Sequence, residues 1–179
     1  MPLPPFTLPD QAGQPRAFPS GRHALLVFWW HECPTCQLSL PVLAAVCGAY
    51  GSVIDAWLVT QDPPADRAAL EAAGFGCPML DDAALETAWR YGIDAVPTVI
   101  LADPGGEELL RFVGFARADW EALFERLQAI TGAEPPQVDW DAFPAWRPGC
   151  GPRNFLPGEY ERLEAALGPF VPPPGGNAR

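Results

Sequence analysis

Lysine is absent from this chain: all eleven basic residues are arginine, against 22 acidic residues, for a net charge of −11. Without a basic patch, an acidic surface repels phosphates, so a nucleic-acid partner is not expected. No apolar run approaches the ~20 residues of a membrane span, so no membrane role is expected either. The N-terminal MPLPPFTLPD carries neither the positive nor the apolar stretch of a secretory signal, which leads to a cytoplasmic expectation. There are two histidines, His23 and His31, and one closely spaced cysteine pair, Cys33 and Cys36. The other cysteines, Cys47, Cys77 and Cys150, stand alone, so the second pair that a zinc site wants is missing.

What the chain does have is apolar bulk, 49% hydrophobic with seven tryptophans, in a length that suits one domain plus an extension. The densest stretch is Ala24 to Pro41, ALLVFWWHECPTCQLSLP. Ala24 to Trp30 is apolar and rich in β-branched and aromatic residues, as a buried strand is. It stops at His31-Glu32. Apolar residues at Leu38, Val42 and Val46 then suit a helix, with Pro34 near its first position, where a missing N–H costs nothing. Cys33 therefore falls at a helix start and Cys36 one turn further in.

Unpaired N–H groups and the positive end of the helix dipole favour a thiolate at such a place. The thiolate is the species that attacks a disulfide. Residues three apart on a helix are neighbours, so Cys36 can close onto Cys33 and release a bound partner. A purely structural bridge over so short a loop would remove little unfolded-state entropy. A dithiol–disulfide switch needs no metal and no cofactor.

Further along, a hairpin is expected around Gln11-Ala12-Gly13 and a buried strand over Ser52 to Thr60. A short helix is expected over Asp66 to Ala73, stopped by Gly74, then a strand over Phe75 to Leu80 and a helix over Ala83 to Tyr91. Strands over Thr98 to Ala102 and Glu108 to Val113 precede an amphipathic helix, Arg117 to Thr131. Alternating strands and helices closed by a hairpin and a helix make an α/β sandwich. Beyond Gly132 the chain is dense in proline, glycine and aromatics, with one short helix over Glu159 to Leu167. The reading is a domain over 1–132 and an extension over 133–179 that wraps it, with residues 172–179 loose. Cys47 and Cys77 read as buried packing.

Phe28-Trp29 ahead of Cys33-Pro34-Thr35-Cys36, Pro41 five residues later, and Val96-Pro97-Thr98 together resemble the thioredoxin-like superfamily. The opening Phe6-Thr7-Leu8-Pro9-Asp10 with Gly13, and an extra strand–helix unit around 62–80, resemble its TlpA-like branch of thiol-disulfide oxidoreductases. The resemblance covers about three-quarters of the chain. It implies a mixed sheet flanked by helices, with Cys33 as attacking nucleophile and Cys36 as resolving thiol. Pro97 matches the family's cis-proline, so that Val96, Pro97 and Trp30 would border an extended substrate. The implied partners are a disulfide-containing protein or small thiol, and a reductase or thiol pool that supplies electrons.

Two positions depart from that pattern. Val27 stands where thioredoxin has a buried acid, and Ser39 where many TlpA-like proteins have a glutamate. His31 and Glu32 are the candidates for the vacant proton-transfer role. A peroxiredoxin-like peroxidase would need threonine three residues before its reactive cysteine, where this chain has Trp30. A redox-gated binding module is the non-enzymatic alternative. Cys150 lies between glycines, with Arg147 and Arg153 nearby and no acid from Ala142 to Gly158, so it is a candidate third redox thiol.

Overall fold

The computed structural model describes residues 2–72 and 75–174. Strands β1 (Phe6–Pro9) and β2 (Pro15–Phe18) form the expected N-terminal hairpin. Asp10 builds its turn by accepting the amides of Ala12 and Gln14. Phe6 of the hairpin packs on the rings of Phe18, Trp57 and Tyr91.

The central sheet holds β3 (Ala24–Trp29), β4 (Asp55–Thr60), β5 (Met79–Asp81), β6 (Thr98–Ala102) and β7 (Glu108–Val113), in the order β5-β4-β3-β6-β7. β3 pairs in parallel with β4 and antiparallel with β6, which makes the sheet mixed. All six residues of β3 are buried, the signature of a central strand covered on both faces. The flanking helices are α1 (Pro34–Tyr50), α2 (Ala68–Ala72), α3 (Glu86–Arg90), α4 (Arg117–Thr131) and α5 (Glu159–Leu167).

Several boundaries differ from the sequence reading for local reasons. α1 runs through Gly48 and ends only at Gly51, whose N–H donates to the Cys47 carbonyl at 2.8 Å. β4 begins at Asp55 because Val53 and Ile54 still bond back to Tyr50 in a turn. α3 starts at Glu86 because Leu85 is left-handed (φ 67°) and the buried Asp82 carboxylate caps the amides of Thr87 and Ala88. A 3₁₀ turn at Pro64–Asp66 precedes α2, and the expected stop at Ala73 and Gly74 lies outside the described residues.

Cys47 and Cys77 are not mere packing. They form a disulfide with Cα atoms 5.8 Å apart, tying the last turn of α1 to the segment before β5. Sequence spacing places Cys47 on its helix but says nothing about which strand edge the helix end meets.

After α4 the chain packs back on Phe115 and on α4 itself. Trp140 and Phe143 pack on Phe115, and Trp140 also meets Phe124. Strands β8 (Phe115–Ala116) and β9 (Trp146–Arg147) pair antiparallel. Then α5 buries Leu163 against Leu85 and Trp89, with Tyr160 and Phe170 edge-on to the Trp89 ring. Residues 175–179, part of the segment expected to be loose, lie outside the described residues.

Candidate active site

Cys33 is the N-cap of α1, extended in backbone (φ −88°, ψ 114°), with Pro34 in the first turn. Its sulfur accepts the Cys36 amide at 3.3 Å. That satisfies one of the N–H groups that a helix start leaves without a partner. Cys36 lies one turn deeper and fully buried. Burial drives its thiol well above the ordinary cysteine range, and the negative charge of Asp62 adds to this, against the Trp30 amide, which hydrogen-bonds the sulfur.

The expected bond between Cys33 and Cys36 is not the one formed. Cys33 is bridged to Cys150, 117 residues away, with Cα atoms 5.8 Å apart, and Cys36 is a free thiol. The helix geometry makes Cys36 a neighbour of Cys33, and the tail delivers a second one, Cys150, the candidate third thiol of the sequence, whose seat on Cys33 the local pattern does not fix. The Cys150 amide donates to the Val96 carbonyl at 2.7 Å, and the Val96 amide donates to the Cys150 carbonyl at 2.9 Å. Thr35, between the two cysteines of the motif, donates to the Pro148 carbonyl at 2.8 Å.

On both sides of this crossing the tail is anchored. The Arg117 amide donates to the Ala145 carbonyl at 3.0 Å, and Phe115 and Ala116 pair with Arg147 and Trp146. Downstream, Arg153 donates to the carbonyls of Gln61 and Ala83. Asn154, fully buried, joins the Gln61 side chain to the Ile93 carbonyl. Arg153 is thus committed to backbone carbonyls and to Glu159 rather than to the Cys150 sulfur.

The remaining expected site residues lie close around this point. Val96 is fully buried and precedes Pro97 through a cis peptide bond. Trp30 is half-buried, and its carbonyl accepts the Cys33 amide at 3.1 Å. Of the two candidate proton carriers, Glu32 is exposed. His31 hydrogen-bonds through its ring to Asp62, which raises its pKa above the usual imidazole value despite partial burial.

Asp62 is the residue that reading the sequence missed. It follows β4, 1% exposed, in a loop that looks solvent-facing on paper. Thr60 donates its hydroxyl to Asp62 Oδ2 at 2.7 Å, and the His31 amide approaches both carboxylate oxygens at 3.2 and 3.3 Å. Arg67 clamps the Asp62 backbone carbonyl and the Asp81 carboxylate. The only signal available was position, since the chain end of β4 faces the same edge as the chain end of β3. Val27 is core, and the Ser39 hydroxyl donates to the Thr35 carbonyl within α1, so neither position carries an acid or replaces one.

The arrangement holds a helix-capping sulfur, a buried thiol one turn below it and a backbone edge beside it, which is what disulfide exchange requires. The AhpC/TSA family model matches residues 1–107. No curated protein matches the sequence significantly. Among solved structures, a thio-disulfide isomerase from Thermus thermophilus is 27% identical with a TM-score of 0.58, covering 74% of this chain and 96% of its own. A thiol-disulfide oxidoreductase from Bacteroides fragilis is 26% identical with a TM-score of 0.60, covering 73% and 99%. The thioredoxin domain of a Bacteroides vulgatus thiol-disulfide oxidoreductase, at 20% identity and TM-score 0.62, supports the fold alone. With its mixed five-stranded sheet, its capped C-x-x-C helix and a family match over more than half its length, the chain has the thioredoxin-like fold and belongs to the AhpC/TSA family.

Proposed function

We propose that this protein is a thiol-disulfide oxidoreductase in which Cys33 attacks a client disulfide and Cys36 resolves the mixed disulfide. The observation that carries this is the placement of Cys33 at the N-cap of α1, its sulfur held by the Cys36 amide beside the Val96 backbone edge. The clients are disulfide-bonded proteins or small disulfides, with electrons returned by a reductase or thiol pool. Peroxide reduction, which the family match raises, is disfavoured by Trp30 in place of the threonine a peroxidatic cysteine needs.

The test is turnover of insulin or a model disulfide with dithiothreitol as reductant. Cys33→Ser should abolish turnover, and a Cys36→Ser/Cys150→Ser protein, with no second thiol beside Cys33, should accumulate mixed disulfides on Cys33. Comparable turnover in wild type and Cys33→Ser would end this reading. A redox-gated binding module is the second reading, favoured by one observation: Cys33 is only 1% exposed beneath the tail. Such a module would show redox-dependent docking and no turnover.

The cytoplasmic location expected from the sequence stands as a proposal, and the Cys47–Cys77 bond bears on it. Bridges of this kind persist in oxidising compartments and are rare in reducing ones. Alkylation after acid quenching of expressing cells separates the two, since free Cys47 and Cys77 mark the cytoplasm.

A further inference from the structure

We infer that residues 145–154 are a tethered substrate: Cys150 sits where a client cysteine would sit on Cys33, closing the site until Cys36 displaces it and the reductase or thiol pool then reduces the Cys33–Cys36 bond to free Cys33. This rests on the oxidoreductase reading and adds a regulatory state to the same site.

Three features of the crossing go beyond a tail that happens to lie nearby. The first is the pair of main-chain hydrogen bonds between Cys150 and Val96, an antiparallel bridge at the backbone edge beside the nucleophile. Main-chain pairing of this kind holds a peptide whatever its side chains. The second is closeness of fit. A Cβ on Gly149 would stand 3.0 Å from the Val96 carbonyl oxygen and 3.1 Å from Val113 Cγ1. On the other side, a Cβ on Gly114 (φ +77°) would stand 2.7 Å from the Arg147 carbonyl oxygen and 2.8 Å from the Gly149 nitrogen. Glycine on both faces lets the tail lie flat on the groove. The third is Thr35, which spends its hydroxyl on the Pro148 carbonyl, so the motif itself grips the tail.

The anchors set what can move. Ala145 to Arg147 and Arg153 to Asn154 are fastened, which leaves Pro148 to Pro152 as the span that lifts. A sulfur on so short a tether competes with free clients at an effective concentration on the order of millimolar.

The exchange balances without an external oxidant or reductant. The Cys36 thiol loses its proton to solvent, and the thiolate attacks Cys33 Sγ. The Cys33–Cys36 bond forms, the Cys33–Cys150 bond breaks, and the electron pair leaves on Cys150, which takes up a proton. One disulfide and one thiol are present before and after. The disulfide itself originates from a client: two enzyme thiols are oxidised as one client disulfide is reduced to two thiols. Deep burial of Cys36 makes the opening step slow and the closed state long-lived.

The template also describes the client. The groove admits a segment with a residue lacking a bulky Cβ before its cysteine, as Gly149 precedes Cys150.

The test uses full-length wild type, Cys36→Ser, Cys150→Ser and Gly149→Leu proteins, oxidised with glutathione disulfide, acid-quenched, alkylated and peptide-mapped. The wild type should yield both Cys33–Cys150 and Cys33–Cys36 peptides, and Cys36→Ser the Cys33–Cys150 peptide. With a model disulfide at micromolar concentration, Cys150→Ser and Gly149→Leu should turn over about tenfold faster or more, because the tethered competitor is gone. Absence of the Cys33–Cys150 peptide, or a Cys150→Ser rate at or below wild type, overturns the inference. Either result leaves the oxidoreductase reading standing so long as Cys33→Ser stays inactive. Undiminished turnover in Cys33→Ser would remove both.

Discussion

Cys36 carries the sharpest consequence at the scale of single residues. Its thiol is held far above the usual cysteine pKa by burial and by the Asp62 charge. Across the neutral range the reactive thiolate is therefore a small fraction that grows about tenfold per pH unit. Resolution of a mixed disulfide on Cys33 should accelerate steadily from pH 6 to pH 9. A flat profile, followed by stopped-flow with a fluorescent disulfide, would show that the buried thiol is not the rate-setting group. Asp62 has its carboxylate taken up by Thr60 and by the His31 amide and ring, so it acts on Cys36 through its field rather than as a free base. Asp62→Asn should consequently raise the resolution rate a few-fold near pH 7, because the charge that holds the Cys36 thiol protonated is gone. A fall in rate would instead assign Asp62 the proton-accepting role.

Among the elements, α1 is held at both ends by sulfur. Its start is bridged to the tail through Cys33, and its last turn to the segment before β5 through Cys47 and Cys77. The two bonds have different settings. Cys33 has a thiol one turn away that can displace its partner, whereas Cys47 and Cys77 face only each other, since the remaining free cysteine is Cys36. The Cys47–Cys77 bond therefore acts on stability rather than turnover. Its 30-residue separation corresponds to roughly 3–4 kcal/mol of unfolded-state entropy. A Cys47→Ala/Cys77→Ala protein should lose about that much in urea unfolding while retaining wild-type reductase turnover. A loss of turnover in step with Cys33→Ser would place this pair in the redox chemistry.

For the molecule as a whole, the tail after α4 is part of the packing and not an appendage. Leu163 is fully buried against Leu85 and Trp89, and Trp140 and Phe143 cover Phe115. Leu163→Ala should cost about 2–5 kcal/mol, the usual range for emptying a filled core site. A chain ending at residue 132 should bind a hydrophobic dye and unfold at lower urea than the full chain. Equal unfolding midpoints would show that the domain carries its own stability.

Much of this was readable along the chain. The β1–β2 hairpin, β6, β7, α4 and α5 follow from local apolar periodicity and turn residues, signals set by neighbours within a few positions. The N-cap place of Cys33 follows equally from an apolar strand, Pro34 and the helix behind it. Three things depended on contacts between distant segments: the Cys47–Cys77 bridge, the burial of Asp62, and the seating of Cys150 on Val96. Each joins residues that no period or motif connects, 30, 31 and 54 or more positions apart. Sequence determined where a reactive sulfur could stand, because capping and the helix dipole act within one turn. Which sulfur it met was decided by how the tail pairs with β8 and with Val96, because strand pairing and ring packing join segments distant in sequence.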